Sequence, residues 1–460
     1  MSMPWTASQI VAEVHEGAMT AEAAVARSLA AIAERDPQLN CFTKVLGDEA
    51  LADARALDAD PERLQAAPLA GVPFAVKDLF DIEGQTTRAG SAIHASRPAA
   101  TRDATLVDRL RQAGAILLGS LNMDEFAYGF STENAHYGAT RNPHDPQRIA
   151  GGSSGGSASA VAARMVPLSL GSDTNGSIRV PAALCGVYGL KPTYGGLSKA
   201  GTTQFVASLD HVGHFTLTAD DLLLAYGCMA GHDSRDPTRL RTCDSIARCA
   251  DLGRLRVGIL GGWFRQGAID EAIEATEKVA AGFAHVRATK LDQSDRARSA
   301  AYCITAAEAG NLHLPSLRSQ AAGFDPATRN RLIAGALLPA SIYLEAQRFR
   351  TVYRKIAMEL FEQFDVLLAP STPCAAPRIG QSHFEVAGEQ VLVRPNLGIF
   401  TQPISFIGLP VVSVPVCLPG KLPLGVQLIG RPGSDRNLLT IASALEREGC
   451  CGALTLEELE

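Results

Sequence analysis

Serine residues in two glycine-rich stretches have the types and spacing needed for nucleophilic chemistry. The first stretch reads Gly151-Gly-Ser-Ser-Gly155 and leads into an alanine-rich segment that is typical of a helix. Such a loop exposes backbone N–H groups at a helix N-terminus, where an anion is favoured. No Lys-Ser/Thr pair follows the glycines, so the stretch is not a phosphate-binding P-loop. It also fits the G-x-S-x-G pattern, which would make Ser153 the nucleophile of an α/β-hydrolase.

A second stretch, Gly171-Ser-Asp-Thr-Asn-Gly-Ser177, offers Ser177 as the alternative nucleophile. The Asn and Gly just before this serine accept unusual backbone angles, so a tight turn is expected there. Such a turn points successive N–H groups at one place, which is how an oxyanion hole is built. The N–H groups predicted to form it belong to Thr174, Asn175, Gly176 and Ser177.

A lysine ends the apolar run Gly71-Val-Pro-Phe-Ala-Val-Lys77. A lysine in such a place is usually a surface residue whose ammonium group reaches water. If Lys77 is buried and neutral instead, it could be the base for a serine hydroxyl, which is a poor nucleophile until its proton is taken. Its reference pKa of about 10.4 would have to fall to roughly 7–8, and burial lowers the pKa of a lysine.

These three segments together resemble the amidase signature family. That family shares the long Gly/Ser-rich stretch found here over residues 151–181. The similarity continues through Cys185-Gly-Val-Tyr-Gly-Leu-Lys-Pro-Thr193, Asn122-Met-Asp-Glu-Phe126 and Ser131-Thr-Glu-Asn134. It covers most of the chain and weakens over residues 230–360.

The resemblance implies a catalytic set of a lysine, a serine preceded by a cis peptide bond, and a nucleophilic serine. The matching positions are Lys77, Ser153 and Ser177. Lys77 would take a proton from Ser153, and Ser153 would take one from Ser177. The relay would run in reverse to protonate the departing nitrogen, and water would then attack the acyl-enzyme. The residues expected to support these loops are Ser154, Asp173 and Arg179.

Within the family, four segments are similar to the members that remove ammonia from 1-carboxybiuret, a small anionic ureide of cyanuric-acid and s-triazine nitrogen metabolism. These segments are residues 311–318, 324–326, 334–339 and 400–404. The similarity implies deamination of 1-carboxybiuret to urea-1,3-dicarboxylate. It also implies a small accessory subunit, related to the amidotransferase C subunit, in a heterotetramer with a homodimer of this chain.

Two other activities remain open alternatives. One is the A subunit of the tRNA-dependent glutaminyl/asparaginyl amidotransferase, which hydrolyses glutamine and typically has glycine where this chain has Asn175. The other is a general amidase for small amides. A non-catalytic binding protein is disfavoured, because all three catalytic positions are intact.

The carboxylate of such a substrate needs a partner, because a buried unpaired charge is costly. An arginine suits it, since the planar guanidinium binds a carboxylate through two hydrogen bonds. We predict Arg318 for this task. We expect Gln402 and Thr401 to add hydrogen bonds, and Tyr128 and Gly129 to form a wall.

The elements that must position these residues alternate between strands and helices. Apolar runs predict strands over residues 71–76, 115–118, 167–170, 365–369, 410–416 and 425–429. Helices are predicted between them, for example over residues 6–17, 20–35, 105–112 and 434–447. This order predicts an α/β fold with a large mixed twisted sheet and helices on both faces.

We expect one domain over residues 1–460, because no linker separates two cores. Its parts would be a helical N-terminal arm (1–65), the signature core (66–230), a variable and mainly helical substrate side (231–360), and C-terminal strands and a helix that complete the core (361–460).

The composition excludes several classes of partner. A net charge of −6 argues against nucleic acid and anionic membranes. No stretch of 18 apolar residues and no signal-peptide pattern occurs. The ten cysteines are scattered without metal-ligand spacing. We therefore expect a cytoplasmic enzyme that needs no metal or other cofactor.

Overall fold

The computed structural model describes residues 5–238, 251–386 and 388–454. Residues 239–250 of the predicted variable region lie outside this part of the chain. Within it, the strands are β1 (Phe42–Val45), β2 (Pro73–Lys77), β3 (Ile116–Leu121), β4 (Glu133–Asn134), β5 (Gly138–Ala139), β6 (Arg141–Asn142), β7 (Asp145–Ile149), β8 (Leu168–Asp173), β9 (Tyr188–Lys191), β10 (His211–Thr216), β11 (Arg256–Leu260), β12 (His285–Thr289), β13 (Val366–Pro370), β14 (His383–Val386), β15 (Glu389–Leu392), β16 (Val411–Val416) and β17 (Leu424–Ile429).

The α-helices of the same residues surround these strands. They are α1 (Ala7–His15), α2 (Ala21–Leu39), α3 (Gly47–Asp58), α4 (Pro61–Ala66), α5 (Thr105–Gln112), α6 (Gly155–Ala162), α7 (Arg179–Cys185), α8 (Ala219–Met229), α9 (Trp263–Gln266), α10 (Asp270–Ala280), α11 (Ser294–Gln320), α12 (Pro326–Ala336), α13 (Ala340–Leu360), α14 (Val393–Asn396), α15 (Gln402–Ser405) and α16 (Asp435–Arg447). None of the described helices is long and apolar enough to cross a membrane.

Eleven of the described strands form one mixed sheet in the order β1-β3-β2-β8-β10-β9-β16-β17-β13-β11-β12. Strands β3, β2 and β8 run parallel to one another, as do β13, β11 and β12, whereas the central strands pair antiparallel. The prediction of a large mixed sheet is confirmed.

Successive side chains of a strand point to opposite faces of the sheet, so a buried strand contributes apolar residues to both faces. In β2, Phe74 and Val76 join one hydrophobic cluster, while Ala75 joins a second cluster. Apolar residues of α1, α5 and α8 belong to the first cluster, and those of α3 and α6 and most of those of α2 belong to the second. Helices therefore lie on both faces, as the alternation of elements predicts.

Most predicted elements occur within a few residues of their predicted positions. The helix predicted at 105–112 matches α5, and the six predicted strands correspond to β2, β3, β8, β13, β16 and β17. The boundary of β2 matters most, since this strand extends to Lys77 and places that residue at the carboxyl end of a fully buried strand.

The N-terminal region departs from its prediction in two places. It is not purely helical, because Phe42–Val45 forms β1 and pairs antiparallel with β3. Helix α2 was predicted to end before Asp36, but it continues through Pro37 to Leu39. The Asp36 carboxylate accepts hydrogen bonds from the N–H groups of Cys41 and Phe42, which fixes the chain reversal just beyond the helix. Pro37 alone favours an earlier end of the helix, but the Asp36 side chain stabilises the longer α2.

Helices α11 and α12 approach each other through two glycines. A Cβ atom at Gly335 would lie 2.0 Å from the carbonyl oxygen of Ala306, and one at Gly310 would lie 2.3 Å from the amide nitrogen of Ala336. The two backbones are therefore in direct contact, and no larger residue fits between them.

Replacing Gly335 with alanine should force α11 and α12 apart and lower the free energy of unfolding by about 1–3 kcal/mol. The matched control is Gly227→Ala in α8, where an added Cβ meets nothing within 4 Å. That change should leave the free energy of unfolding unchanged or raise it by up to about 1 kcal/mol. Urea unfolding of both variants makes the comparison, and equal stabilities would contradict the close contact.

Candidate active site

Neighbouring parallel strands bring the predicted lysine and serines together. Strands β2 and β8 pair in parallel, with Val76 opposite Leu170. Their carboxyl ends meet at one edge of the sheet, where Lys77 ends β2 and the stretch containing Ser177 follows β8. Ser153 reaches the same edge from the loop before α6, a helix in which every residue is buried.

The amino group of Lys77 is completely buried beneath these loops. Its Nζ donates hydrogen bonds to Ser153 Oγ at 2.7 Å and to Ser172 Oγ at 2.9 Å. Burial lowers the pKa of Lys77 to about 7, although the nearby carboxyl groups of Asp124 and Asp173 act in the opposite direction. The lysine is therefore available as a neutral base near neutral pH.

The loop that carries Ser153 passes very close to Asp124. The peptide bond between Gly152 and Ser153 is cis, as the resemblance implies. A Cβ atom at Gly152 would lie 2.2 Å from Asp124 Oδ2, so only glycine fits there. The next residue, Ser154, accepts a hydrogen bond from Ser172 N at 3.3 Å and donates one to Ser172 O at 3.1 Å. Ser154 thus joins this loop to β8.

The turn before Ser177 is organised by the buried carboxylate of Asp173. Asp173 accepts hydrogen bonds from Gly176 N at 2.7 Å and from Ile178 N at 3.2 Å. It also forms a buried ion pair with Arg179, whose Nε lies 3.0 Å away. Burial alone would raise the pKa of Asp173, but the charge and hydrogen bonds of Arg179 outweigh it and hold that pKa below its usual range.

Arg179 extends this network to the C-terminal part of the chain. Its Nη1 donates to Gln427 Oε1 at 2.8 Å and to Thr401 O at 3.1 Å, and its Nη2 donates to Ser405 Oγ. The guanidinium group is fully buried, and each nitrogen has an acceptor. Arg179 therefore fixes the turn of Ser177 against α15 and β17.

A cavity of about 320 Å³ opens at this turn. It is lined by Ala127, Tyr128, Gly129, Phe130, Thr174, Asn175, Ser177, Phe205, Tyr302, Thr305, Ala327, Arg331, Arg394, Pro395 and Gln402. The guanidinium carbon of Arg331 lies 4.1 Å from the centre of the Tyr128 ring, a cation–π contact. Ser177 thus faces a small chamber that has aromatic walls and two arginines.

Sequence comparison identifies the family. Residues 23–439 match the family model of the amidases. The chain belongs to the amidase family. It is 48% identical over 449 residues to AtzE, a 1-carboxybiuret hydrolase chain of Pseudomonas sp. (strain ADP), covering 96% of this amidase and 98% of the relative. It is 37% identical over 447 residues to the A chain of the glutamyl-tRNA(Gln) amidotransferase of Coxiella burnetii, covering 90% and 91% of the two chains.

A solved structure supports the same assignment. It superimposes on this amidase with a TM-score of 0.93 and 46% identity, covering 98% of this chain and 100% of the other. That structure is of a vestigial protein complex, said to reveal the evolutionary origins of an s-triazine catabolic enzyme. The amidase is therefore a hydrolase closely related to a 1-carboxybiuret hydrolase.

One predicted substrate contact of the amidase lies away from the cavity. Arg318 is exposed and does not line the cavity, whereas Tyr302 and Thr305 of the same helix do. With a rise of 1.5 Å per residue, Arg318 lies about 20 Å further along α11 than Thr305. The structure therefore does not bring Arg318 to this cavity. The predicted contacts Tyr128, Gly129 and Gln402 do line the cavity.

The predicted oxyanion hole also needs a change. The N–H of Gly176 already donates to Asp173, so it is not free to stabilise a developing oxyanion. Thr174, Asn175 and Ser177 remain at the cavity wall. Thr401 lies behind this turn and donates from its Oγ1 to Asn175 O at 2.6 Å.

Several residues around the cavity of the amidase were not predicted. Ser172 stands beside Asp173 in the second serine stretch, and the parallel register of β2 and β8 is the signal that places it near Lys77. Arg331 and Arg394 come from segments far apart in the chain, so neither spacing nor periodicity could pair them.

The buried ion pair gives a test of stability. Replacing Arg179 with methionine would leave the Asp173 carboxylate buried without its charged partner, so the free energy of unfolding should fall by about 3–5 kcal/mol. Arg55, whose bond to Glu22 is exposed, is the control, and Arg55→Met should cost less than about 1 kcal/mol. Urea unfolding of both variants measures the difference. Similar small losses in the two would show that Asp173 does not depend on Arg179.

Proposed function

We propose that this amidase removes ammonia from 1-carboxybiuret through a Lys77–Ser153–Ser177 relay and forms urea-1,3-dicarboxylate. The observation that carries the proposal is the hydrogen bond from the buried amine of Lys77 to Ser153, beside a cavity lined by Ser177 and two arginines. The similarity to 1-carboxybiuret hydrolase supports the choice of substrate.

In the first half of the reaction, the Ser177 hydroxyl oxygen attacks the carbon of the terminal carboxamide. Its proton passes to Ser153, and the proton of Ser153 passes to neutral Lys77. The C–N bond then breaks, the relay returns a proton to the nitrogen, and ammonia leaves. Water attacks the acyl-enzyme with the same relay as base, and the carboxylate product departs from Ser177.

The developing oxyanion needs hydrogen-bond donors that are already in place. Thr174, Asn175 and Ser177 lie on the turn that Asp173 and Arg179 hold rigid. We assign the oxyanion hole to the N–H groups of these three cavity residues.

The arginines of the cavity suit the anionic end of the substrate. A carboxylate in a small chamber must be paired, and the fork of a guanidinium group binds it through two hydrogen bonds. Arg331 donates to the carbonyl oxygens of Ala327 and Tyr128, which fix its position. Because these acceptors carry no net charge, they do not neutralise the guanidinium group. Arg394 is 3.4 Å from Glu133, an exposed and weak pair. Arg331 is therefore our candidate for the carboxylate, with Arg394 beside it.

A partner protein is part of the proposal. Solved structures with this fold include the vestigial complex, and amidotransferase chains are relatives of this amidase. We propose a small accessory subunit resembling the amidotransferase C subunit, with two copies of each chain in the assembly.

Ammonia release from a panel of substrates tests the proposed function. The purified chain, with and without a co-expressed accessory subunit, should deaminate 1-carboxybiuret far faster than glutamine or a neutral amide. Ser177→Ala should abolish turnover, and Lys77→Ala and Ser153→Ala should each reduce kcat by about 10²- to 10⁴-fold, the usual size of general acid–base catalysis.

Two results would contradict this assignment. Preference for glutamine would favour the amidotransferase activity instead. Labelling by a fluorophosphonate probe should occur at Ser177, and labelling of Ser153 would favour the alternative in which Ser153 is the nucleophile.

The pH dependence follows from the buried base. Lys77 works only when neutral, and its pKa is about 7, so kcat/KM should rise with pH and level off above that value. Lys77→Arg should remove this acidic limb along with most activity, because arginine does not deprotonate in proteins. The matched control is Lys191→Met, since burial also lowers the pKa of Lys191 to about 7. That variant should keep the limb, and a flat wild-type profile from pH 5 to 9 would contradict the relay.

A further inference from the structure

The side chain of Gln402 lines the cavity in one fixed orientation. Gln402 is only 2% exposed, and its Oε1 accepts a hydrogen bond from Arg298 Nε at 3.2 Å. A guanidinium group has donors and no acceptors, so the carbonyl oxygen of the amide must face Arg298. The amide NH₂ group therefore faces away from Arg298.

Among the described residues, no acceptor forms a hydrogen bond with Gln402 Nε2. Because Gln402 lines the cavity, the two N–H bonds of this group are available to a ligand, and a ligand that covers them without supplying an acceptor leaves them unpaired at a cost. Gln402 shares the cavity with Ser177, and a bound substrate can supply that acceptor.

Arg298 is itself held in place by α14. Its Nη2 donates to Pro395 O at 2.8 Å and to Asn396 Oδ1 at 2.9 Å, and the side chain is half-buried. Arg298 does not line the cavity, but Pro395 and Gln402 do. The arginine thus acts on the cavity through the residues that it holds.

We propose that Arg298 is a positioning residue that holds Gln402 so that its NH₂ group donates to the central carbonyl oxygen of a ureide substrate. This inference rests on the proposed function and deepens it. The oxyanion hole binds the oxygen of the scissile amide, and a guanidinium group binds the carboxylate. The central carbonyl oxygen is then the oxygen of 1-carboxybiuret without an assigned partner, and Gln402 supplies a donor for it.

Such a contact selects for ureides over ordinary amides of the same length. Glutaramate has a carboxylate at one end, a carboxamide at the other, and three linking atoms, as 1-carboxybiuret has, but its middle atom is a CH₂ group. When glutaramate binds, the NH₂ group of Gln402 stays without an acceptor. A site with a buried polar group discriminates strongly against an analogue that leaves it unpaired.

The experiment compares the KM for 1-carboxybiuret with the inhibition constant of glutaramate as a competitor. In Gln402→Met, KM for 1-carboxybiuret should rise tenfold or more, while the inhibition constant of glutaramate should change less than threefold. The contact is present before and during the reaction, so kcat should change far less than KM. Equal changes for the two compounds would overturn the assignment of the central carbonyl.

Arg298→Met tests the positioning role. It should also raise KM for 1-carboxybiuret tenfold or more, and it should add less than threefold when Gln402 is already methionine, because it acts through Gln402. Arg318→Gln is the matched control, an exposed arginine on the same helix, and it should change neither constant.

The outcomes separate this inference from the proposed function. A full additional loss from Arg298→Met in the Gln402→Met background would overturn the positioning role while leaving the proposed function intact. A wild-type enzyme that does not turn over 1-carboxybiuret would overturn both.

Discussion

Excluding water from the amino group of Lys77 is the constraint on which the site depends. Three carboxyl groups, those of Asp124, Asp173 and Asp210, favour its charged form, yet burial outweighs them. That burial requires the segment that carries Ser153 to pack closely against Lys77, which bulky side chains would prevent. The small residues of α6 and the glycine beside Asp124 satisfy this requirement.

The ion pair between Asp173 and Arg179 has a different task from the lysine. It sits in the same dry interior, but both of its members remain charged, because each satisfies the other and the surrounding polar groups accept or donate the remaining hydrogen bonds. A charge that is fully paired holds the turn of Ser177 still, and a charge that is poorly paired, at Lys77, is free to give up its proton. Arg179 and Lys77 are both buried, but burial leaves the paired arginine charged and makes the lysine easy to deprotonate.

The sequence pattern is sufficient to predict the sheet, the family resemblance is needed to pair Lys77 with the serines, and neither predicts the arginines of the cavity. Lys77 ends a strand with a clear apolar run, and Ser177 lies in the turn after β8, but a lysine in such a place is usually a surface residue, so the run alone does not assign Lys77 to the site. The sequence does not show that Arg318 lies away from the cavity, because what a residue of α11 faces depends on where the helix crosses the cavity. Arg331 of α12 lines the cavity instead, and the packing of two helices through glycine contacts is not visible in a one-dimensional pattern.

The backbone contact between α11 and α12 has a consequence for how the cavity can vary. Because Gly310 and Gly335 allow no gap, the two helices form one plate, and Thr305 and Arg331 keep a fixed separation on it. The plate contacts the turn before Ser177 through the hydrogen bond that Asn175 Nδ2 donates to Thr305 Oγ1. Substitutions on the cavity side of this plate would therefore reshape the cavity wall without moving the edge of the sheet that carries Lys77.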